Sequence, residues 1–357
     1  MTFSKTLLAL ALGVTVSQSV MAQDETLLVP DQVSSTSITS AQEANSTQMT
    51  PQQVVAKLSY QAQDVKQPTE KRIEALRNLA NYPSQNALVA VARSLQDKDP
   101  AIREAAIVAA EPYTIEHRWR MIEPLLSDSE AMVRITAATN LVRDFSNVSS
   151  EQQETLEGPV SELVKYLETK KDDASKLLLA DVYRWHHQFD SADKIYQSLV
   201  TKTPENPQVW LSLADNYRAQ ERDADAVKTL ETAIELHPDN ASLHYSKALT
   251  LVRLDEKQNA AQEIEKAADM AKNNSYFWYL NGVLQEDFNL DKSVKSFEQA
   301  YLISGAPEQL YAVCDIYVRY NNPKTDECLG ELEKVAPSYV IDQLKEKKGQ
   351  KNAKVNS

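Results

Sequence analysis

Residues 208–240 read QVWLSLADNYRAQERDADAVKTLETAIELHPDN, and this stretch decides the fold. Trp210, Leu213, Ala214 and Tyr217 fall at i, i+3, i+4 and i+7, so they share one helical face. After a polar break at residues 218–223, Ala226, Leu230 and Ala233 form a second such face. Ala214 and Ala226 have no bulk beyond Cβ, so the two helices can approach closely there. Trp210 and Leu230 fill the space where the helices splay. Pro238 cannot continue a helix and closes the unit.

The pattern recurs with a period of 34 residues. Small residues return as Ala180, Ala214, Ala248 and Gly282, followed by Tyr183, Tyr217 and Leu251. A second small set is Ala192, Ala226 and Ala260, followed by Tyr196, Leu230 and Ile264 and then by Leu199, Ala233 and Ala267. Pro204 and Pro238 close two units. One helix pair cannot bury its apolar face alone, so each unit needs neighbours.

These positions resemble the tetratricopeptide repeat, over residues 175–340. The unit from Ala174 fits with Leu179, Ala180, Tyr183, Ala192, Tyr196 and Pro204. The third keeps Ala248, Ala260, Ile264 and Ala267, and the fourth keeps Trp278, Gly282, Phe297 and Ala300 with a turn that looks one residue short. The fifth, residues 307–337, is degenerate.

A second repeat, with a period of 31 residues, precedes it. Leu95 to Asp99 matches Leu126 to Glu130, Ile102-Arg103 matches Val133-Arg134, and Ala106 and Ala110 match Ala137 and Leu141. A weaker copy supplies Arg72, Ala75 and Leu79. Asp99-Pro100 is a helix start, with an Asp N-cap and Pro in the first turn. This segment resembles the HEAT repeat. The resemblance implies that Asp97 and Asp128 pair along the stack with Arg103 and Arg134. An ordinary helical bundle is the other reading of these residues.

The fold expected is therefore all-α, two α-solenoid modules, HEAT-like followed by a tetratricopeptide superhelix. Only 6 Gly in 357 residues agrees with this. Residues 1–22 read as a cleavable signal peptide, with Lys5, an apolar run over 6–16, and Val20-Met21-Ala22 before the cut. Residues 23–50 are a Ser/Thr/Gln-rich tract expected to be disordered. The HEAT-like repeats take residues 51–145, a helical connector 146–172, the tetratricopeptide array 173–340, and a basic disordered tail 341–357. In the connector, Ser150 with Gln153 reads as a capping box, and Gly158-Pro159 as a break between two helices. The tail's lysines either stay solvated or contact an acidic surface, this protein's own body included.

Loss of residues 1–22 would remove only Lys5 and move the formal net charge from −13 to −14. An acidic chain disfavours nucleic acid, whose sequence-independent binding needs basic charge. No segment after the signal has the ~20 apolar residues of a spanning helix. The expected location is the periplasm. Cys314 and Cys328 fit there as a disulfide. With two extra residues in the fifth unit's turn, they take the places of Ala214 and Ala226; the alternative is two separate buried thiols.

By the resemblance, the first helix of each unit lines a concave groove that takes a protein or peptide partner. The groove residues are Leu177, Asp181, Arg184 and Trp185; Leu211, Asp215 and Arg218; Tyr245 and Leu249; Tyr279 and Val283; and Tyr311 and Asp315. Tyr245, Tyr279 and Tyr311 are equivalent in three successive units, either contacting a peptide or packing between repeats. Asp181/Arg184 and Asp215/Arg218 repeat as i, i+3 pairs that either support their own helices or face the ligand. Five scattered histidines, and the absence of H-E-x-x-H, C-x-x-C-H, G-x-S-x-G and phosphate-loop motifs, point to no metal, no cofactor, no small-molecule substrate and no enzyme. The expected function is a periplasmic interaction scaffold or adaptor. The alternatives are an accessory factor for an envelope system (polysaccharide, secretion or c-type cytochrome maturation) and a cell-wall glycan binder.

Overall fold

The computed structural model describes residues 49–355, with side chains to Lys348. The expected signal peptide and almost all of the polar tract lie outside the described residues. Among the described residues every regular element is helical. The chain divides into two compact units, Met1–Lys165 and Tyr166–Ser357.

The N-terminal unit contains α1 (Pro51–Gln63), α2 (Thr69–Leu79), α3 (Gln85–Ser94), α4 (Pro100–Ala109), α5 (Ile115–Ile122), a 3-10 turn (Glu123–Ser127) and α6 (Ala131–Val142). Helix α7 (Ser150–Glu168) contains the point of division. Thr50 starts α1 with a capping box to Gln53, and Asp99 caps α4 by accepting from the Ala101 amide. The 31-residue register puts Ile102, Ala106 and Ala110 into the core, and likewise Val133, Ala137 and Leu141. Arginines then link successive repeats. Arg72 reaches Asp97 at 2.5 Å, Arg103 pairs with Asp128 through two bonds at 2.7 and 2.8 Å, and Arg134 pairs with Glu162 at 2.6 Å. Each arginine thus grips the acid of the next repeat, which corrects the expected set: Asp97 pairs with Arg72, Asp128 with Arg103, and Arg134 with Glu162 of α7.

Two local expectations are corrected. The capping box of α7 is Ser149 with Gln152, not Ser150 with Gln153: Gln152 N donates to Ser149 Oγ and Ser149 N to Gln152 Oε1. Gly158-Pro159 does not end the helix; α7 runs through Pro159. Leu156, Val160, Leu163 and Leu167 form one buried stripe across it, and this packing outweighs the cost of the proline.

The C-terminal unit is a series of helix pairs: α8 (Asp173–Trp185) with α9 (Phe189–Lys202), α10 (Pro207–Ala219) with α11 (Asp223–Leu236), and α12 (Ala241–Arg253) with α13 (Lys257–Met270). Then come α14 (Ser275–Gln285) with α15 (Leu290–Ser304), α16 (Pro307–Tyr320) with α17 (Thr325–Leu332), and α18 (Ser338–Val355). Ala180, Ala214 and Ala248 are fully buried. At the fourth position Gly282 is required, because a Cβ there would lie 2.8 Å from the Phe297 ring. Three turns share one geometry, with His187, Glu221 and Asp255 in the left-handed region at φ of 59°, 60° and 59°. The fourth turn differs: α14 stops at Gln285, and Asn289 caps α15 by accepting from the Lys292 amide. In the fifth pair Asn321 takes the left-handed position, and Cys314 and Cys328 form a disulfide with Cα atoms 5.5 Å apart.

The tail is the third correction. Residues from 341 do not form a disordered tail, because α18 continues to Val355. Ile341 and Leu344 are buried in the core of the last repeat. Lys345, Lys347 and Lys348 pair with Glu333, Asp315 and Asp326 at 2.9, 2.8 and 2.5 Å, so the basic block meets the protein's own acidic surface.

Candidate functional site

Successive first helices of the C-terminal unit touch one another, α8 on α10 and α10 on α12, more closely than successive second helices do. The residues expected to line a groove sit on this row.

At its N-terminal end the row is ionic. Arg184 lies 3.3 Å from Asp181, and the Tyr196 hydroxyl donates to the same carboxylate at 2.6 Å. Burial works against the charge of Arg184, but Tyr196, Asp215 and Asp181 outweigh it, so its pKa rises. Burial likewise raises the Tyr196 pKa well above its ordinary value, and Asp181 adds to this. Arg218 pairs with Asp215 and also reaches the Ser246 carbonyl at 3.5 Å and Thr250 Oγ1 at 3.4 Å. The two i, i+3 pairs are therefore more than support for their own helices, since each arginine also interacts with the next repeat. Leu177 and Leu211 lie half-buried on the core of these repeats, and the Arg184 guanidinium lies 5.6 Å from the centre of the Trp185 ring.

The middle of the row is neutral. Tyr245 is half-buried, stacked on Phe277 with ring centres 4.9 Å apart and edge-on to Tyr276 at 6.2 Å. Burial raises its pKa, and the neighbouring Tyr276 hydroxyl adds to the shift. Tyr279 is half-buried and edge-on to Phe297 at 5.6 Å. Burial raises its pKa too, with smaller effects from Tyr276, Asp315 and Tyr311. Leu249 and Val283 are half-buried beside them. Each tyrosine ring thus packs within or between repeats and still keeps part of its surface exposed.

The C-terminal end is ionic again. Arg319 holds Glu286 through two bonds and Asp315 at 2.7 Å. Asp315 was expected on the open face, but it is buried, with 4% of its surface exposed. The reason is α18, whose Lys347 covers it and donates to it at 2.8 Å. Tyr311 remains half-buried.

Sequence reasoning missed two participants. Tyr196 was read only as core, yet its hydroxyl joins the Asp181–Arg184 pair. Tyr276 was not singled out. Its place three residues before Tyr279, on the same helical face, was the available signal. Among the described residues no cluster of three or more His, Cys, Asp and Glu side chains could hold a metal ion. No described helix is long and apolar enough to cross a membrane.

Residues 186–249 match the family model of the tetratricopeptide repeat. Similar solved structures include a tetratricopeptide repeat protein from Parabacteroides merdae ATCC 43184, at 18% identity over 65% of this chain and 99% of that one, with a TM-score of 0.42. YrrB, described as a TPR protein with an unusual peptide-binding site, is 19% identical over 51% of this chain and 96% of its own, with a TM-score of 0.41. MamA from Desulfovibrio magneticus RS-1 is 15% identical over 46% of this chain and 96% of its own, with a TM-score of 0.39. No match was found among curated proteins.

Proposed function

We propose that the chain is an exported, periplasmic scaffold that binds a protein or peptide partner along the first-helix row of its C-terminal unit. The observation that carries this reading is the row itself. It is a row of first helices from five successive pairs, with its arginine and acid side chains paired and its tyrosines partly exposed. Solenoids of stacked helix pairs work by offering such extended faces. The reading assigns no reaction to the chain.

Export is supported by Lys5, the short apolar run over residues 6–16 and the small-residue end at Ala22. The Cys314–Cys328 disulfide suits an oxidising compartment. We read the N-terminal unit as HEAT-like, supported by its 31-residue register and its arginine–acid ladder, and as a second surface of the same scaffold. A role in assembling an envelope system is the narrower form of this proposal.

The test is cross-linked affinity capture from envelope extract. It compares the native chain with a Tyr245→Ala/Tyr279→Ala/Tyr311→Ala variant whose helicity is checked by circular dichroism. The expected outcome is a partner captured by the native chain and lost by the folded variant. Equal capture by both would move the binding surface off the row, and co-sedimentation with purified cell wall would redirect the reading to glycan. Fractionation of a tagged chain tests export, which fails if the protein stays in the cytoplasm with residues 1–22 attached.

A further inference from the structure

We propose that the apolar run Leu27-Leu28-Val29-Pro30 docks in the cavity between α1 and α2 of its own chain and covers the open end of the N-terminal unit. The proposal stands apart from the first-helix row and does not depend on it.

The cavity lies between the facing sides of the first two helices and has a volume of about 270 Å3. That is below the ~300–1,000 Å3 of small-molecule sites, so it suits a few side chains. Val54 and Leu58 of α1 are half-buried in its lining and Ala75 of α2 is buried, while Lys57 and Lys71 are exposed. The aliphatic groups therefore lie deeper than the ammonium groups. The Gln61 side chain donates to the Lys71 carbonyl at 3.3 Å and ties the two helices together. Lys71 pairs with Glu74 at 3.1 Å, but among the described residues Lys57 has no ion-pair partner.

The position of the cavity gives it a task. Helix α1 is the first described helix, and it packs on α2 and α3. Its Tyr60 is 71% exposed. A stacked array buries apolar surface between neighbours, so its terminal element needs a cover.

The residues that precede α1 supply a matching occupant. Residues 23–48 hold one run of consecutive aliphatic residues, Leu27 to Val29, and elsewhere their apolar residues stand singly. Asp24, Glu25 and Asp31 flank the run, and residues 23–48 contain no Lys or Arg. Over residues 51–79, by contrast, five Lys and Arg outnumber three Asp and Glu, in a chain of formal net charge −13. Aliphatic side chains would meet Val54, Leu58 and Ala75, and the flanking carboxylates would meet Lys57 and Lys71 at the rim. Reach favours the same chain over any other. Met49 itself lines the cavity, and residues 31–48 connect it to the run. That connection spans at most about 60 Å, which keeps the run at an effective concentration on the order of millimolar.

The experiment is hydrogen exchange read by mass spectrometry on the chain from Gln23 to Ser357. It compares the native chain with a Leu27→Asp/Leu28→Asp variant, whose changes lie outside every described helix and whose helicity is checked by circular dichroism. Docking slows the opening of the helices it covers, so α1 and α2 should exchange about threefold faster in the variant. The C-terminal unit should exchange alike in both. A photoreactive benzoylphenylalanine in place of Gln32, beside the intact run, should cross-link to α1 or α2 of the same chain. Equal exchange of α1 and α2 in the two chains overturns the proposal, and so does the lack of a cross-link to either helix. Cross-links that join two chains also overturn it and make a second copy the occupant.

Discussion

The two units use arginine–acid pairs in opposite ways. In the N-terminal unit, Arg103 and Asp128 come from successive repeats, and their side chains are only 11% and 8% exposed. Burial alone would raise the pKa of Asp128, yet Arg103 and the Glu130 amide hold it below the ordinary value; Asp97 is held down in the same way by Arg72 and the Asp99 amide. In the C-terminal unit, Arg218 and Asp215 come from one helix and are 21% and 36% exposed. The first kind of pair fills the joint between repeats. The second neutralises an open face, while Ala180, Ala214, Ala248 and Gly282 let the two helices of each pair touch. Where small residues let helices touch, charge is free to shape a surface. Where buried charge bridges the repeats, it is committed to the fold.

The largest expected effect tests this contrast directly. Arg103→Met leaves Asp128 buried without its partner and should cost about 3 kcal/mol in the N-terminal unit. Arg218→Met leaves Asp215 able to hydrate and should cost about 1 kcal/mol or less. Urea unfolding, followed by probes placed separately in the two units, measures both. Equal costs would erase the distinction.

The C-terminal unit also holds acids that are buried, and Glu263 sharpens the comparison. Glu263 is buried and joined to His244 at 2.6 Å, Lys266 at 3.1 Å and Lys247 at 3.6 Å. Burial pushes its pKa up, but His244, Lys266 and Lys247 outweigh that and hold it at about 2, below the ordinary 4.5. A carboxylate depressed in the folded state stabilises fully above its unfolded pKa, and that stability is lost as pH falls through the folded value. Glu263→Gln should therefore cost about 2 kcal/mol at neutral pH. Below about pH 4.5 the difference from the native chain should narrow, and it should vanish near the folded pKa of about 2. A cost that stays constant over that range would mean that packing, not charge, sets it.

Much of this was legible in the sequence because repetition exposes it. A position that is small in every repeat, as at Ala180, Ala214, Ala248 and Gly282, must be a close contact whatever the ligand. Cys314 and Cys328 could be placed because their register follows from the same repeats. What the sequence hid was side-chain direction beyond one repeat. The partner of Arg134 proved to be Glu162, which lies past the end of the 31-residue pattern, and Arg118, which bonds Asn140 and Asp144, has no repeated counterpart to flag it. The tail misled for a related reason. Its lysines look solvated until Ile341 and Leu344 are seen to anchor the helix that carries them. The tyrosine row stayed ambiguous because packing and partial exposure are not exclusive: Tyr245 and Tyr279 are packed on neighbouring rings and only half-buried.

The smallest effect concerns the turns, where the repeats of the C-terminal unit differ among themselves. Glu221 holds φ at 60°, a region in which a Cβ crowds the following carbonyl. Glycine has no such clash, although it loses more entropy on folding, so Glu221→Gly should stabilise the unit by about 0.5 kcal/mol. Gly305 sits at φ of 61° with open space around it, so Gly305→Ala should cost a similar amount from backbone strain alone. Asp287 occupies the fourth turn, where no residue takes a positive φ, so Asp287→Gly should bring no gain and a small entropic loss. Thermal denaturation of the three variants should give opposite signs at Glu221 and Asp287. If glycine stabilised both turns equally, the short fourth turn would carry the same strain as its neighbours, and the early end of α14 at Gln285 would need another cause.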